Sequence, residues 1–176
     1  KQHDAALEEI QTSSRQLLGM DLRLLTTLSD AEFIRLLSLG DRFDVEKCVV
    51  AAELLRLTGE VKNHQGDEEG EYRSYTTSLS LFLELLFRES ETLPDEYFDK
   101  IEGLIGTLAP YELPSHLQEK LFRFYRIAGR YDKAEDILFD LVQQNPGFGV
   151  EGIKFYTMLR AKSDEELEHG NLPRHE

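Results

Sequence analysis

The residues best suited to grip a ligand lie between His116 and Lys133. Five cations fall there (Lys120, Arg123, Arg126, Arg130 and Lys133) against Glu119 and Asp132, a local charge of +3 in a chain of formal charge −14. Steps of three and four put His116, Glu119, Arg123 and Arg126 on one face of a helix. Arginines one turn apart can hold a carboxylate or phosphate through paired N–H donors. Such a face suits an acidic peptide segment or the C-terminal carboxylate of a partner chain. The alternative is internal, with the same arginines paired to acids on neighbouring helices of this acidic protein.

Other chemistry is weakly represented. Cys48 is the single cysteine and sits on an apolar stripe, Val45 to Val50, so a buried thiol is expected rather than a nucleophile. The acidic stretch His64–Glu71 lacks the alternating ligands of a calcium loop and reads as a solvated turn at a helix N-terminus. His3, His64, His116, His169 and His175 are scattered, with no H-E-x-x-H or Cys/His cluster. No metal and no cofactor is expected. Neither G-x-S-x-G, a P-loop nor G-x-G-x-x-G occurs. The chain therefore reads as a non-enzyme. Its 34 acids give carboxylate pairs by chance, which leaves a hydrolase with a carboxylate or metal site as a remote alternative. Tyr111 and Phe148, in loops beside prolines or glycines, are the aromatic residues expected to line a groove.

Net acidity disfavours nucleic acid, whose phosphates need clustered Lys and Arg, and an anionic membrane surface. The longest apolar run, Leu79 to Phe87, is interrupted by Ser80 and Glu84 and falls short of the ~20 residues of a spanning helix. With one cysteine no internal disulfide can form, which suits a reducing cytoplasm. The chain opens on Lys1 and is read as N-terminally truncated.

Apolar residues recur at helical steps almost throughout, and nothing alternates with period two between turn signals. Helices are expected over residues 4–18 (closed by Gly19), from the capping box Ser29-Asp30-Ala31-Glu32 to Gly40, from Asp44 to about Asn63, and from about Glu68 to Arg88. Further helices are expected over 95–108, 115–128 (opened by a second capping box, Ser115 to Gln118), 131–144, Val150 to about Ala161, and from Ser163 to Gly170. Residues Leu22–Leu28 form a short apolar segment between the first two. The class is all-α, one domain over residues 1–176, with about nine helices and no sheet.

The stretch Ser115–Phe148 forms two helices hinged at Gly129, and it resembles one tetratricopeptide (TPR) unit. Leu121 and Tyr125 fill the leucine and tyrosine slots of its first helix. Ala134 stands where two helices cross, Leu138 fills the large apolar slot, and Pro146 ends the unit. Gln118 replaces the tryptophan, and Phe122 replaces a small residue, which implies a wider or rotated helix pair. Residues 52–85 echo the pattern through Gly59, Gly66, Tyr75 and Ser78, although Glu71 and Lys62 fit their slots poorly. His3 to Ile10 resembles the second helix of a unit begun upstream. The whole chain also resembles an uncharacterised bacterial family with degenerate TPR-like helices, through Gly129 to Asp136 and Ser163 to Arg174. These resemblances imply an irregular TPR-like α-solenoid of right-handed helical hairpins, whose first helices line a groove. The function they imply is protein or peptide binding, with His116, Glu119, Arg123 and Arg126 as groove residues. A structural subunit that self-associates through an apolar helix face is the alternative.

Overall fold

A computed structural model describes residues 2–39, 42–89 and 94–174. The chain is all-α, with ten α-helices among these residues, and divides into two compact units at Glu112–Leu113.

The first unit holds α1 (Gln2–Leu17), α2 (Leu22–Leu25), α3 (Asp30–Leu36), α4 (Val45–Gln65), α5 (Glu68–Glu89) and α6 (Glu96–Leu108). The tenth helix, beyond the nine expected, is α2. Its single turn is opened by Asp21, whose side chain accepts from the Arg23 N–H at 2.9 Å. The capping box at Ser29 forms as expected, with the Glu32 carboxylate accepting the Ser29 N–H at 2.8 Å. That helix stops at Leu36; the stop expected at Gly40 lies outside the described residues. After it comes an antiparallel pair of two-residue strands, β1 (Ser38–Leu39) and β2 (Arg42–Phe43), too short to show any alternation in sequence.

Helices α4 and α5 form the centre of this unit, with α1 and α2 against α4 and α6 against α5. Asp44 caps α4 by accepting from the Lys47 N–H at 3.0 Å, and Gly66 ends it in the left-handed conformation at φ 71°. The helices approach closely where Gly59 meets the Tyr75 ring; a Cβ on Gly59 would lie 2.5 Å from Cε1. The Ser78 hydroxyl crosses to the Ala52 carbonyl at 2.8 Å. Buried Glu71 accepts from the Asn63 amide at 3.0 Å, so its burial is compensated. Cys48 is fully buried, its Sγ 3.6 Å from the Leu81 carbonyl, as the apolar stripe predicted.

The second unit contains α7 (Ser115–Ile127), α8 (Tyr131–Gln144), a 3-10 turn (Pro146–Phe148), α9 (Gly149–Arg160) and α10 (Asp164–His169). Gly129, at φ 69°, hinges α7 to α8. The Arg130 N–H returns to the Tyr125 carbonyl at 2.9 Å, and the Gly129 N–H to Arg126 at 3.4 Å, satisfying orphan carbonyls at the end of α7. The expected capping box at Ser115 does not form. Pro114 occupies the cap position, the Ser115 hydroxyl donates instead to Gln144 at 2.7 Å, and the Gln118 amide donates to the Leu113 carbonyl at 2.9 Å. A serine inside the first turn is drawn to a cross-helix partner once proline has set the entry angle. At the other end of the hairpin, the first N–H groups of α8, on Tyr131 and Asp132, donate to the Gly170 carbonyl at 3.1 and 3.2 Å. The turn after α10 thereby caps α8.

Candidate functional site

Helix α7 buries Leu117, Leu121, Phe122, Phe124 and Tyr125 and turns its basic face outward. Of the expected groove residues, His116, Glu119 and Arg123 are exposed and Arg126 is half-buried. They share the face that their spacing predicted.

What the spacing could not foresee is an aromatic floor beneath the cations. The Arg126 guanidinium lies 5.3 Å from the centroid of the Phe122 ring. That ring is itself held edge-on by Phe148 at 5.8 Å and Phe155 at 5.5 Å. Arg130 and Lys133 both sit over Tyr125, at 5.8 and 5.3 Å. A cation on a ring face keeps its charge while its stem is fixed, and loses little in rotamer freedom when a ligand arrives. Phe122 thus serves as a pedestal for Arg126.

Arg123, Lys120 and Arg130 each interact within the protein. For Arg126 no carboxylate partner is found among the described residues, and its Nε is buried with no hydrogen-bond acceptor. A buried donor on a charged group is costly to leave unmatched, so this nitrogen marks a point of unsatisfied demand.

Tyr111 packs on Tyr72 at 5.3 Å within the first unit, Phe148 packs on Phe122 at 5.8 Å, and each ring stays half-buried. One groove of the second unit, about 460 Å³, lies between α8 and α9. Its floor is Leu138 and Val142, and its rims are Phe139, Ile153 and Tyr156. Phe139 and Ile153 are 57% and 70% exposed, unusual for residues of their size. The Tyr156 hydroxyl donates to Glu135 at 2.6 Å, and burial together with that carboxylate pushes its pKa up to about 12. A signal for this groove was present. Helix α9 carries two apolar stripes, buried Gly152-Phe155-Leu159 and exposed Val150-Ile153-Tyr156, and a single supporting layer covers only one.

Among the described residues no three His, Cys, Asp or Glu side chains gather as a metal site would require. His3 and His64, far apart in sequence, stack at 5.8 Å. His175 lies outside the described residues. No helix is long and apolar enough to cross a membrane among those residues.

Residues 2–176 match a family of unknown function (DUF6483). The chain belongs to that family. No curated protein and no solved structure matches it. Membership in DUF6483 thus covers essentially the whole chain and supplies no activity by itself.

Proposed function

We propose that this member of DUF6483 is a non-enzymatic interaction module that binds an acidic peptide segment, or a partner's C-terminal carboxylate, along the outward face of α7. The observation that carries the reading is Arg126, a guanidinium seated on an aromatic ring with a buried donor unmatched. Arg123 lies one turn away on the same face, and His116 and Glu119 extend it toward the helix start. Charge complementarity favours an acid as occupant, because this face is a basic island in a chain of −14.

The TPR-like reading of residues 115–148 belongs to this proposal. It is supported by fully buried Ala134, by buried Leu138 one turn on, by the Gly129 hinge and by Pro146 at the unit's end. A bacterial, cytoplasmic setting accompanies it, with Cys48 held as a free buried thiol.

The test is anisotropy of a labelled acidic peptide titrated with the full chain, against its C-terminally amidated and its neutralised forms. Binding should weaken steeply with salt and be lost in Arg126→Glu and Arg123→Glu. An affinity indifferent to salt and to both substitutions would overturn the reading. The amidated form separates the two occupants: weaker binding assigns the terminal carboxylate, equal binding the acidic side chains.

A second reading is favoured by the exposed apolar rims at α8–α9: self-association of the chain through that groove. Sedimentation should then show a dimer that Ile153→Glu dissociates, whereas a monomer at all concentrations rejects it.

A further inference from the structure

Nothing among the described residues covers the groove between α8 and α9. Phe139, Ile153 and Tyr156 line it, and Val150 stands one turn before Ile153 on the same stripe of α9. Large apolar side chains gathered in one place, each 40% exposed or more, mark a surface made to be covered.

The hydroxyls of the lining are already used. Tyr156 donates to Glu135, and Thr157 donates to the Ile153 carbonyl at 2.7 Å. Arg160 is different. It is the charged residue among those lining the groove, it is exposed, and among the described residues its guanidinium has neither an ion pair nor a hydrogen-bond partner. An occupant that covered Arg160 without offering an acceptor would leave that guanidinium desolvated and unpaired. The groove therefore selects an occupant that is apolar along its length and carries a carboxylate at the Arg160 end.

The walls narrow the occupant further. Both are helices, whose backbone groups are bonded within themselves, so an extended peptide would find no edge to pair with. A helix satisfies its own backbone and can lie between two others. The stripe from Val150 to Arg160 rises about 15 Å, which is room for about three turns. Gly149 and Gly152, one turn apart in the lining, have open space and ordinary contact where a Cβ would stand, so a docked helix can come close. A second copy of the chain fits less well. An isologous contact would join two grooves that each bring an arginine and no carboxylate in their lining.

We infer that this groove binds an amphipathic helix of a partner protein, its apolar stripe between Phe139 and Ile153 and a Glu or Asp beyond that stripe paired with Arg160. The site is separate from the α7 face and uses other residues. Self-association through the same groove is the competing occupant, and the experiment separates the two.

The probe is a labelled, alanine-rich helical peptide of about fourteen residues, with leucines at steps of three and four and a single glutamate one turn beyond the last. Its anisotropy is followed on titration with the full chain, beside versions carrying glutamine or lysine in place of the glutamate. The glutamate peptide should bind and shift amides of α8 and α9 in heteronuclear NMR spectra, and the glutamine version should bind about tenfold more weakly. Arg160→Gln should weaken the glutamate peptide by about tenfold and leave the glutamine version unchanged, the coupling expected of a direct pair. Ile153→Glu should abolish binding of both with circular dichroism unchanged. Arg126→Glu should leave it intact, so that failure at one face is not failure at the other. The inference is overturned if the glutamate peptide does not bind, if the lysine version binds as tightly, or if Arg160→Gln changes nothing. It is equally overturned if sedimentation shows the groove closed by a second copy, as a dimer that Ile153→Glu dissociates.

Discussion

The α4–α5 hairpin turns at Gly66 and the α7–α8 hairpin at Gly129, with φ of 71° and 69°, so their hinges are nearly the same object. Their helices are not. Helix α5 buries Leu79, Ser80, Leu81, Phe82 and Leu83 in succession, then Leu85 and Leu86, which means that neighbours surround it on every side. Helices α7 and α8 bury one stripe each and leave the other to solvent. The first hairpin therefore has no free face along that run, while the second has a basic face on α7 and an apolar one beside α9. Equal connections with unequal burial separate a scaffold from a surface, and the difference can be attacked residue by residue.

The largest effect should come from emptying the scaffold. Phe82→Ala removes a fully buried ring and should cost about 3–5 kcal/mol in urea unfolding. Phe139→Ala, on the exposed rim, should cost less than about 0.5 kcal/mol. Similar costs at the two positions would mean that Phe139 is covered in solution, and would move the argument toward self-association. Next is Gly170, in the second unit's one comparably tight approach. A Cβ there would lie 2.3 Å from the Tyr131 ring and 2.7 Å from the Gly129 carbonyl. Backbone cannot swing aside as a side chain can, so Gly170→Ala should destabilise by about 1–3 kcal/mol, with amide exchange rising first at Tyr131 and Asp132.

Much of this contrast was legible beforehand. The boundaries at Gly19, Gly66 and Gly129 follow from glycine's freedom at positive φ, and Asp44, Ser29 and Ser163 announce helix starts by the amides they satisfy. The shared face of His116, Glu119, Arg123 and Arg126 follows from spacing alone. Burial of α5 on all sides did not: Tyr72, Tyr75, Leu79, Phe82, Leu83 and Leu86 fit a stripe, and the apolar residues between them were left without a role. A stripe shows which face is buried first, but only packing partners decide whether the others follow. The pedestal under Arg126 was hidden for a related reason, since Phe122, Phe148 and Phe155 meet through three separate elements.

Two glycines sharpen the comparison at smaller scale. At Gly59 a methyl group would press into the buried Tyr75 ring, so Gly59→Ala should lose about 1–2 kcal/mol even after its gain in helix propensity. At Gly152 the nearest atoms, on Leu138, would be 3.6 Å away, an ordinary contact. Gly152→Ala should therefore stabilise, by up to about 1 kcal/mol. Thermal unfolding of the two variants should move in opposite directions. A shift in the same direction would mean that α8–α9 is packed as tightly as α4–α5.

The smallest effect is electrostatic and confined to the second unit. Lys162, with help from Ser163, holds the Glu166 carboxyl at about 2, below its ordinary 4.5. A carboxylate with a depressed folded value contributes stability above the unfolded value and loses it as pH falls through the folded one. The contribution of Glu166 should thus be complete above about pH 4.5 and gone near pH 2. Its carboxyl carbon, followed by NMR, should titrate near 2 and return toward 4.5 in Lys162→Met. The effect reaches α8 through one chain of contacts: Glu166 anchors α10, and the Gly170 carbonyl at its end receives the first amides of α8. Acid should therefore speed exchange at Tyr131 and Asp132 before it touches the amides of α5. Loss of protection in the reverse order would show that the scaffold, not the surface, yields first.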